Sequence, residues 1–84
     1  MKKVVVIEDD PDVTEVIKDI FKKENINGEF FSSSTLGLKE IANSHPELVI
    51  LDLMMPNISG FEIVKYLRRD EKLKHIQIFV ITGY

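Results

Sequence analysis

The chain has 84 residues, of which 44% are hydrophobic and 30% charged, and its formal net charge is −3 at pH 7. This composition is typical of one folded globular domain and argues against a disordered tail. The mild acidity argues against nucleic-acid binding, and no segment approaches the roughly 18 apolar residues of a membrane span. The absence of cysteine excludes disulfides and thiolate metal sites. We therefore expect a cytoplasmic domain with neither a nucleic-acid nor a membrane partner.

The chain opens with a predicted strand followed by a predicted helix. Val4 to Ile7 form a continuous β-branched run, which is typical of a parallel strand buried on both faces. Pro11 suits the first turn of a helix, with Asp10 or Asp12 as its N-cap. The apolar residues that follow have the i, i+3, i+4, i+7, i+8 spacing of one helical face: Val13, Val16, Ile17, Ile20 and Phe21.

The middle of the chain predicts a strand, a weaker helix and another strand. Residues 25–28 are a helix stop signal, and Phe30 and Phe31 mark a short second strand. Three consecutive serines then offer several N-caps for a second helix, whose apolar residues are Leu38, Ile41 and Ala42. His45-Pro46 breaks the chain, and residues 48–51 form another buried apolar run that ends in Asp52.

The last part of the chain predicts a loop, a third helix and a fourth strand. Residues 54–60 have the composition of a loop, and Ser59 and Glu62 have the spacing of a capping box. The helix that follows has an apolar stripe at Phe61, Val64 and Leu67. Residues 76–81 form a long apolar run that ends in Thr82. The resulting βαβαβαβ order predicts right-handed crossovers and a parallel sheet with helices on both faces.

Polar side chains follow three of the predicted strands. Glu8 and Asp9 come after the first strand, Asp52 after the third and Thr82 after the fourth. In open α/β sheets ligands bind outside the carboxyl ends of the strands, so neighbouring first and third strands would bring three carboxylates together. Such a cluster fits a hard cation such as Mg²⁺. Alternatively, each acidic residue only caps a helix or begins a turn.

These residues resemble a known family, the receiver domains of two-component response regulators. The resemblance rests on VVVIEDDP at the first strand, LVILDLMMPNISGFE around Asp52 and FVITG at the fourth strand. It extends over the whole chain in order and at the expected spacing. It implies a three-layer, flavodoxin-like α/β fold with a parallel sheet of order 2-1-3-4.

The resemblance also implies a role for each residue of the acidic cluster. Asp52 would be the phosphoacceptor, and Asp9 would bind Mg²⁺ directly together with Asp52 and the backbone carbonyl of Met54. Glu8 would reach the metal through water, and the Thr82 hydroxyl would hydrogen-bond the phosphoryl group. The phosphodonor would be a histidine kinase, a phosphotransfer protein or a small molecule. The chain would therefore be a phosphoacceptor and not an enzyme.

Two further positions follow from the same resemblance. Pro56 and Gly60 would shape the loop that follows the phosphoacceptor. Asp10 lies one position beyond the acidic pair, and we expect it to cap the first helix.

The chain departs from the family pattern because it stops two residues after Thr82. The family's fifth strand, its last two helices and the lysine that ends the fifth strand are not matched, so the sequence resembles a truncated receiver domain. We expect impaired phosphorylation, an exposed apolar flank on the first helix and a bare edge at IQIFVI in the fourth strand. Such a chain would form a homodimer or bind a complementing fragment.

Three other functions are compatible with parts of the sequence. The first is a non-catalytic structural fragment or assembly module that associates through its fourth strand. The second is an aspartyl-phosphate hydrolase, but the similar hydrolases have a second Asp two positions after the nucleophile, where this chain has Met54. The third is nucleotide binding, which the absence of a G-x-x-x-x-G-K-[ST] loop disfavours.

Overall fold

A computed structural model describes residues 3–82, in which strands and helices alternate in the predicted order. Gly83, which ends the FVITG motif, and the terminal residues 1–2 and 84 lie outside this range. The elements are β1 (Val4–Ile7), α1 (Pro11–Lys23), β2 (Gly28–Phe31), α2 (Ser34–Ser44), β3 (Leu48–Asp52), α3 (Gly60–Arg69) and β4 (Gln77–Ile81).

The four strands form one parallel sheet of order β2-β1-β3-β4, which confirms the topology expected from the sequence. Ile7 at the end of β1 pairs with Phe31 of β2 and with Leu51 of β3. Asp52, the last residue of β3, pairs with Ile81 of β4. Because all four strands run in the same direction, their carboxyl ends meet at one edge of the sheet.

The helices lie on both faces of the sheet and complete a three-layer α/β architecture. One face carries the larger core, in which side chains of β1 and β3 pack against Ile41 of α2 and against Ile63 and Leu67 of α3. The other face carries a smaller core, in which Val4 and Val6 pack with Phe21 of α1. All four residues of β1 are buried, as its continuous β-branched sequence predicts.

The helix N-termini are satisfied by side chains close to the predicted positions. Asp10 caps α1 by accepting a hydrogen bond from the backbone N–H of Asp12 at 2.8 Å, and Ser33 is the cap chosen among the three serines. Ser59 and Glu62 form the predicted capping box at the start of α3. These bonds satisfy amide donors that would otherwise have no intrahelical partner.

The predicted apolar face of α3 was wrong at one position. Phe61 is 59% exposed, whereas Gly60, Ile63 and Leu67 are buried against the sheet. Spacing alone allowed either stripe, because both have helical periodicity. Gly60 belongs to the buried stripe, because without a side chain it allows the start of α3 to lie against the end of β3. With Gly60 facing the sheet, the next residue, Phe61, faces away from it.

Among the exposed apolar residues of the described range, those on α1 and β4 bear on the expectations from the sequence. On α1, Val16 and Ile20 are each more than half exposed, as expected for the flank of the first helix. On β4, the edge strand, Phe79 is 59% exposed and Val80 is 43% exposed. None of the helices in the range 3–82 is long and apolar enough to cross a membrane.

Candidate functional site

Three carboxylates converge where the carboxyl ends of β1 and β3 meet. Glu8, Asp9 and Asp52 each offer an oxygen atom, and these oxygens all lie within 4.8 Å of one another. Glu8 is only 3% exposed, Asp52 is half-buried and Asp9 is exposed. The parallel register of β1 and β3 causes this convergence. It places Ile7 beside Leu51, so the residues that follow them in the two strands also lie close together.

Glu8 is the carboxyl of the cluster whose pKa is raised. Its carboxylate accepts a hydrogen bond from the backbone N–H of Asp10 at 3.1 Å, which favours ionisation. Burial is the largest influence on this group and opposes ionisation, and the neighbouring carboxyls of Asp52 and Asp9 add to it, so the pKa of Glu8 rises to about 7. The buried Glu8 carboxyl therefore changes between its protonated and ionised forms close to neutral pH.

Asp52 is oriented by the loop that follows it. Its Oδ1 accepts a hydrogen bond from the backbone N–H of Met54 at 2.9 Å, while the Met54 side chain points into solvent. Thr82 directly follows Ile81, the residue paired with Asp52, and so lies at the same edge of the sheet. Within residues 3–82, no member of the acidic cluster forms an ion pair with a lysine, arginine or histidine.

Gly60 holds the start of α3 against the end of β3. A Cβ atom at this position would lie 2.4 Å from the backbone oxygen of Asp52 and 2.6 Å from the Cα atom of Leu53. The Gly60 N–H donates to the Leu53 carbonyl at 3.1 Å. Only glycine therefore permits this approach, which gives a physical basis for its expected place in the loop. Pro56 lies exposed within the same loop.

Ser34 is a supporting residue that the sequence pattern did not reveal. Its side chain is buried, and its hydroxyl donates a 2.7 Å hydrogen bond to the carbonyl of Ile58. This bond ties the start of α2 to the loop between Asp52 and α3. A serine in a run of three has the composition of a turn or cap, so nothing in the sequence distinguished it.

The donor set of the cluster suits a hard divalent cation. All three groups present oxygen atoms, which are the preferred ligands of Mg²⁺, and no described side chain neutralises them. Three carboxylates this close repel each other unless protons or a cation lie between them. The residues that are present therefore fit Mg²⁺.

Fold and site together define the class: a flavodoxin-like α/β domain with an acidic, cation-competent cluster at the ends of β1 and β3. The profile of the response regulator receiver domain matches residues 4–84. The chain therefore belongs to the response regulator receiver domain family.

Named relatives agree with this assignment. The polar-differentiation response regulator DivK of Brucella ovis is 28% identical over 83 residues, an alignment that covers 99% of this chain and 68% of the relative. The Vibrio cholerae chemotaxis response regulator CheY4 superimposes with a TM-score of 0.91 at 23% identity, covering all of this chain and 70% of that one. A receiver protein of Methanoculleus marisnigri superimposes with a TM-score of 0.90 at 21% identity, covering all of this chain and 68% of that one.

The raised pKa of Glu8 predicts that this residue destabilises the metal-free protein at alkaline pH. The ordinary pKa of a glutamate is 4.5, and the pKa of Glu8 in the folded state is about 7. Between these two pH values the folded state holds more protons than the unfolded state. The free energy of unfolding therefore falls as pH rises through this window, by on the order of 3 kcal/mol. Glu8→Gln removes the ionisable group and keeps an acceptor for Asp10. We expect it to stabilise the protein by about 2 kcal/mol more at pH 8 than at pH 5.

Urea denaturation in EDTA at the two pH values measures this difference. Asp19→Asn is the matched control, because Asp19 is an exposed carboxylate on α1, and we expect a change under about 0.5 kcal/mol at either pH. Equal stabilisation by Glu8→Gln at pH 5 and pH 8 would contradict the raised pKa.

Gly60→Ala should destabilise the fold and disturb the loop after Asp52. The added methyl group meets backbone atoms that cannot rotate away, so we expect a loss of about 1–3 kcal/mol. The control in the same loop is Asn57→Gly, since Asn57 has a φ of 67°, which glycine adopts without strain. Urea denaturation of both variants tests the prediction. A Gly60→Ala protein as stable as the parent would show that the close approach is not required.

Proposed function

We propose that this chain is a Mg²⁺-dependent phosphoacceptor of two-component signalling, and that Asp52 receives the phosphoryl group. The observation that carries the proposal is the convergence of Glu8, Asp9 and Asp52 in a chain of the receiver family. A carboxylate that merely capped a helix would need no second and third carboxylate beside it. The capping role at α1 belongs to Asp10, which lies outside the cluster.

The proposed reaction is an in-line displacement at phosphorus. A carboxylate oxygen of Asp52 forms the new O–P bond while the P–N bond of a phosphohistidine breaks. The bonding pair leaves with the imidazole nitrogen, which takes a proton from solvent. Asp52 is suited to this attack because it is half-buried, and one of its oxygens is already fixed by the Met54 N–H. The transition state is loose and anionic, so positioning and charge neutralisation provide the acceleration.

Asp9 and Asp52 would hold Mg²⁺, with the backbone carbonyl of Met54 as a third protein ligand and Glu8 acting through water. When bound, the metal neutralises negative charge on the phosphoryl oxygens and on the surrounding carboxylates. Thr82 would donate its hydroxyl to a phosphoryl oxygen from the end of β4. The place of Asp52 opposite Ile81 supports this role, because Thr82 is the next residue.

The partner in this proposal is a histidine kinase or a phosphotransfer protein that presents a phosphohistidine. Such a partner implies a cytoplasmic location. The chain would be a stoichiometric acceptor and not an enzyme with turnover, since the product is a covalent phosphoaspartate on the protein itself.

The proposal predicts that the parent protein gains one phosphoryl group with Mg²⁺ and a small acyl phosphate. Asp52→Ala should gain none, because the nucleophile is absent. Asp12→Ala is the matched control and should react like the parent, because Asp12 is an exposed carboxylate of α1 outside the cluster. Intact-mass spectrometry measures the gain, and an EDTA arm should abolish it. Failure of the parent to react would remove the phosphoacceptor function, and a modified Asp52→Ala would assign it to another residue.

A second candidate function is self-association along β4. The favouring observation is an edge strand, Gln77–Ile81, with apolar side chains exposed on both of its faces and no charged residue. Natural edge strands are usually protected by lysine, proline or a bulge, none of which occurs in β4. Under this proposal the chain forms homodimers, or assembles with a complementing segment of another chain.

Self-association predicts a concentration-dependent mass. Light scattering of the parent should rise from one chain towards two as concentration increases. Val80→Lys puts a charge on the exposed edge and should hold the protein at one chain. Lys65→Met, on the exposed side of α3, is the control and should behave as the parent does. A parent mass of one chain at all concentrations would exclude this function.

A further inference from the structure

Ser34 has a buried hydroxyl that the capping of α2 does not use. Ser33 is the N-cap of this helix, and its side chain accepts from the backbone N–H of Leu36. Ser34 is 4% exposed, and its hydroxyl donates to the Ile58 carbonyl at 2.7 Å, which is an optimal distance for an O–H···O bond. Among the described residues, Glu8 and Ser34 are the buried polar or charged side chains, and Glu8 belongs to the acidic cluster. The Ser34 hydroxyl therefore acts on a distant loop and not on its own helix.

The Ile58 carbonyl belongs to the peptide group at which α3 begins. The same peptide group carries the Ser59 N–H, which donates to the Glu62 carboxylate at 3.4 Å in the capping box. The bond from Ser34 is the shorter of the two and holds this peptide group more firmly. The side chain of Ile58 packs against the larger core, but apolar contact has no direction and does not determine where the carbonyl points. Ser34 therefore sets the orientation of this peptide group.

A path of hydrogen-bonded peptide groups leads from this point to the proposed phosphoacceptor. The next peptide group carries the Gly60 N–H, which donates to the Leu53 carbonyl at 3.1 Å. The peptide group of that carbonyl also carries the Met54 N–H, which donates to Oδ1 of Asp52 at 2.9 Å. Three hydrogen bonds and the peptide groups between them thus connect the Ser34 hydroxyl with the Asp52 carboxylate. Such a contiguous path can transmit a displacement from one end to the other.

We propose that Ser34 is a positioning residue of the phosphoacceptor site, and that its bond to Ile58 raises the affinity of this site for Mg²⁺. The proposed protein ligands include Asp52 and the Met54 carbonyl, and both adjoin the last peptide group of the path. Mg²⁺ demands nearly ideal octahedral geometry, so its affinity falls when a ligand is displaced. The inference rests on the proposed phosphoacceptor function, which assigns Mg²⁺ to these ligands.

Ser34→Ala removes the hydroxyl and leaves the Ile58 carbonyl without this buried partner. An unsatisfied buried acceptor is costly, so the carbonyl turns towards water and the path to Asp52 is loosened. We expect the dissociation constant for Mg²⁺ to rise about three- to tenfold, less than for the loss of a direct hydrogen bond to a metal ligand, because Ser34 acts from further away. Isothermal titration calorimetry with MgCl₂ measures this constant without any phosphodonor.

The rate of phosphorylation gives a second measurement. At Mg²⁺ concentrations well below both dissociation constants, Ser34→Ala should react with a small acyl phosphate more slowly than the parent, by the same factor as its dissociation constant rises. At saturating Mg²⁺ its rate should return to within about twofold of the parent's, because the loss lies in metal affinity and not in the nucleophile. A general structural defect would lower the rate at every Mg²⁺ concentration.

Two further variants separate the path from the helix that contains Ser34. Ser44→Ala is the matched control, because the Ser44 hydroxyl donates to the Glu40 carbonyl at 2.9 Å at the opposite end of α2. It should leave the dissociation constant at the parent's value, whatever its effect on the urea midpoint. Ser34→Cys keeps the buried space filled and so tests the proposal even where Ser34→Ala does not fold. Its thiol is a weaker donor, and we expect a rise of about twofold in reducing buffer.

The outcomes distinguish this inference from the proposed function. A parental dissociation constant in both Ser34 variants would overturn the inference alone. An equal rise in Ser44→Ala would also overturn it, because the effect would then come from α2 as a whole. A parent that binds Mg²⁺ but gains no phosphoryl group would overturn the proposed function, and the dissociation constants would still decide the role of Ser34. A parent that binds no Mg²⁺ would overturn both.

Discussion

The parallel pairing of β1 with β3 is the constraint on which the rest of this molecule depends. It sets Ile7 beside Leu51 in a fully buried core and in the same step brings Glu8, Asp9 and Asp52 together. The first result stabilises the fold through burial of apolar surface, and the second opposes it through repulsion and desolvation. The pKa of Glu8 is raised because burial and the neighbouring carboxyls both disfavour its ionised form. The carboxylate cluster therefore lowers the stability of the fold, at a position that the core fixes.

The loop after Asp52 is shaped by contacts that come from outside it. Gly60 allows α3 to start directly against the main chain of Asp52, and Ser34 of α2 holds the Ile58 carbonyl. The Met54 amide in turn fixes one oxygen of Asp52. Both large-core helices therefore constrain the loop that begins at Asp52. A substitution in either helix can change the site without touching an acidic residue.

Periodicity predicted the architecture well because long, regular patterns decide it. The β-branched run of β1, the caps at Asp10 and Ser59, and the alternation of strands and helices all have local physical causes that are readable in the sequence. The wrong prediction at Phe61 and the omission of Ser34 both concern features that depend on tertiary packing. Phe61 and Ile63 both fit a helical stripe, and the close approach at Gly60 decides between them. Ser34 matters only because Ile58 lies beside it in space.

The acidic cluster could be predicted for a related reason. Residues that follow neighbouring parallel strands meet at one edge of the sheet, so Glu8, Asp9 and Asp52 could be placed together once the first and third strands were taken as neighbours, an order that the resemblance to receiver domains implied. The raised pKa of Glu8 was not predictable from the sequence, because its largest cause is the burial of that side chain.

Strand β4 links the chemistry of the site to the surface of the molecule. Its inner side pairs with β3 and leads to Thr82 beside Asp52, while its outer side presents the amide groups of Ile78 and Val80. A segment that paired with the outer side of β4 would have one of its ends near the acidic cluster, because neighbouring strands of a sheet reach the same edge. The two candidate functions of the chain, phosphoryl transfer to Asp52 and association along β4, are therefore compatible, since one side of β4 leads to the acidic cluster and the other side lies at the edge of the described sheet.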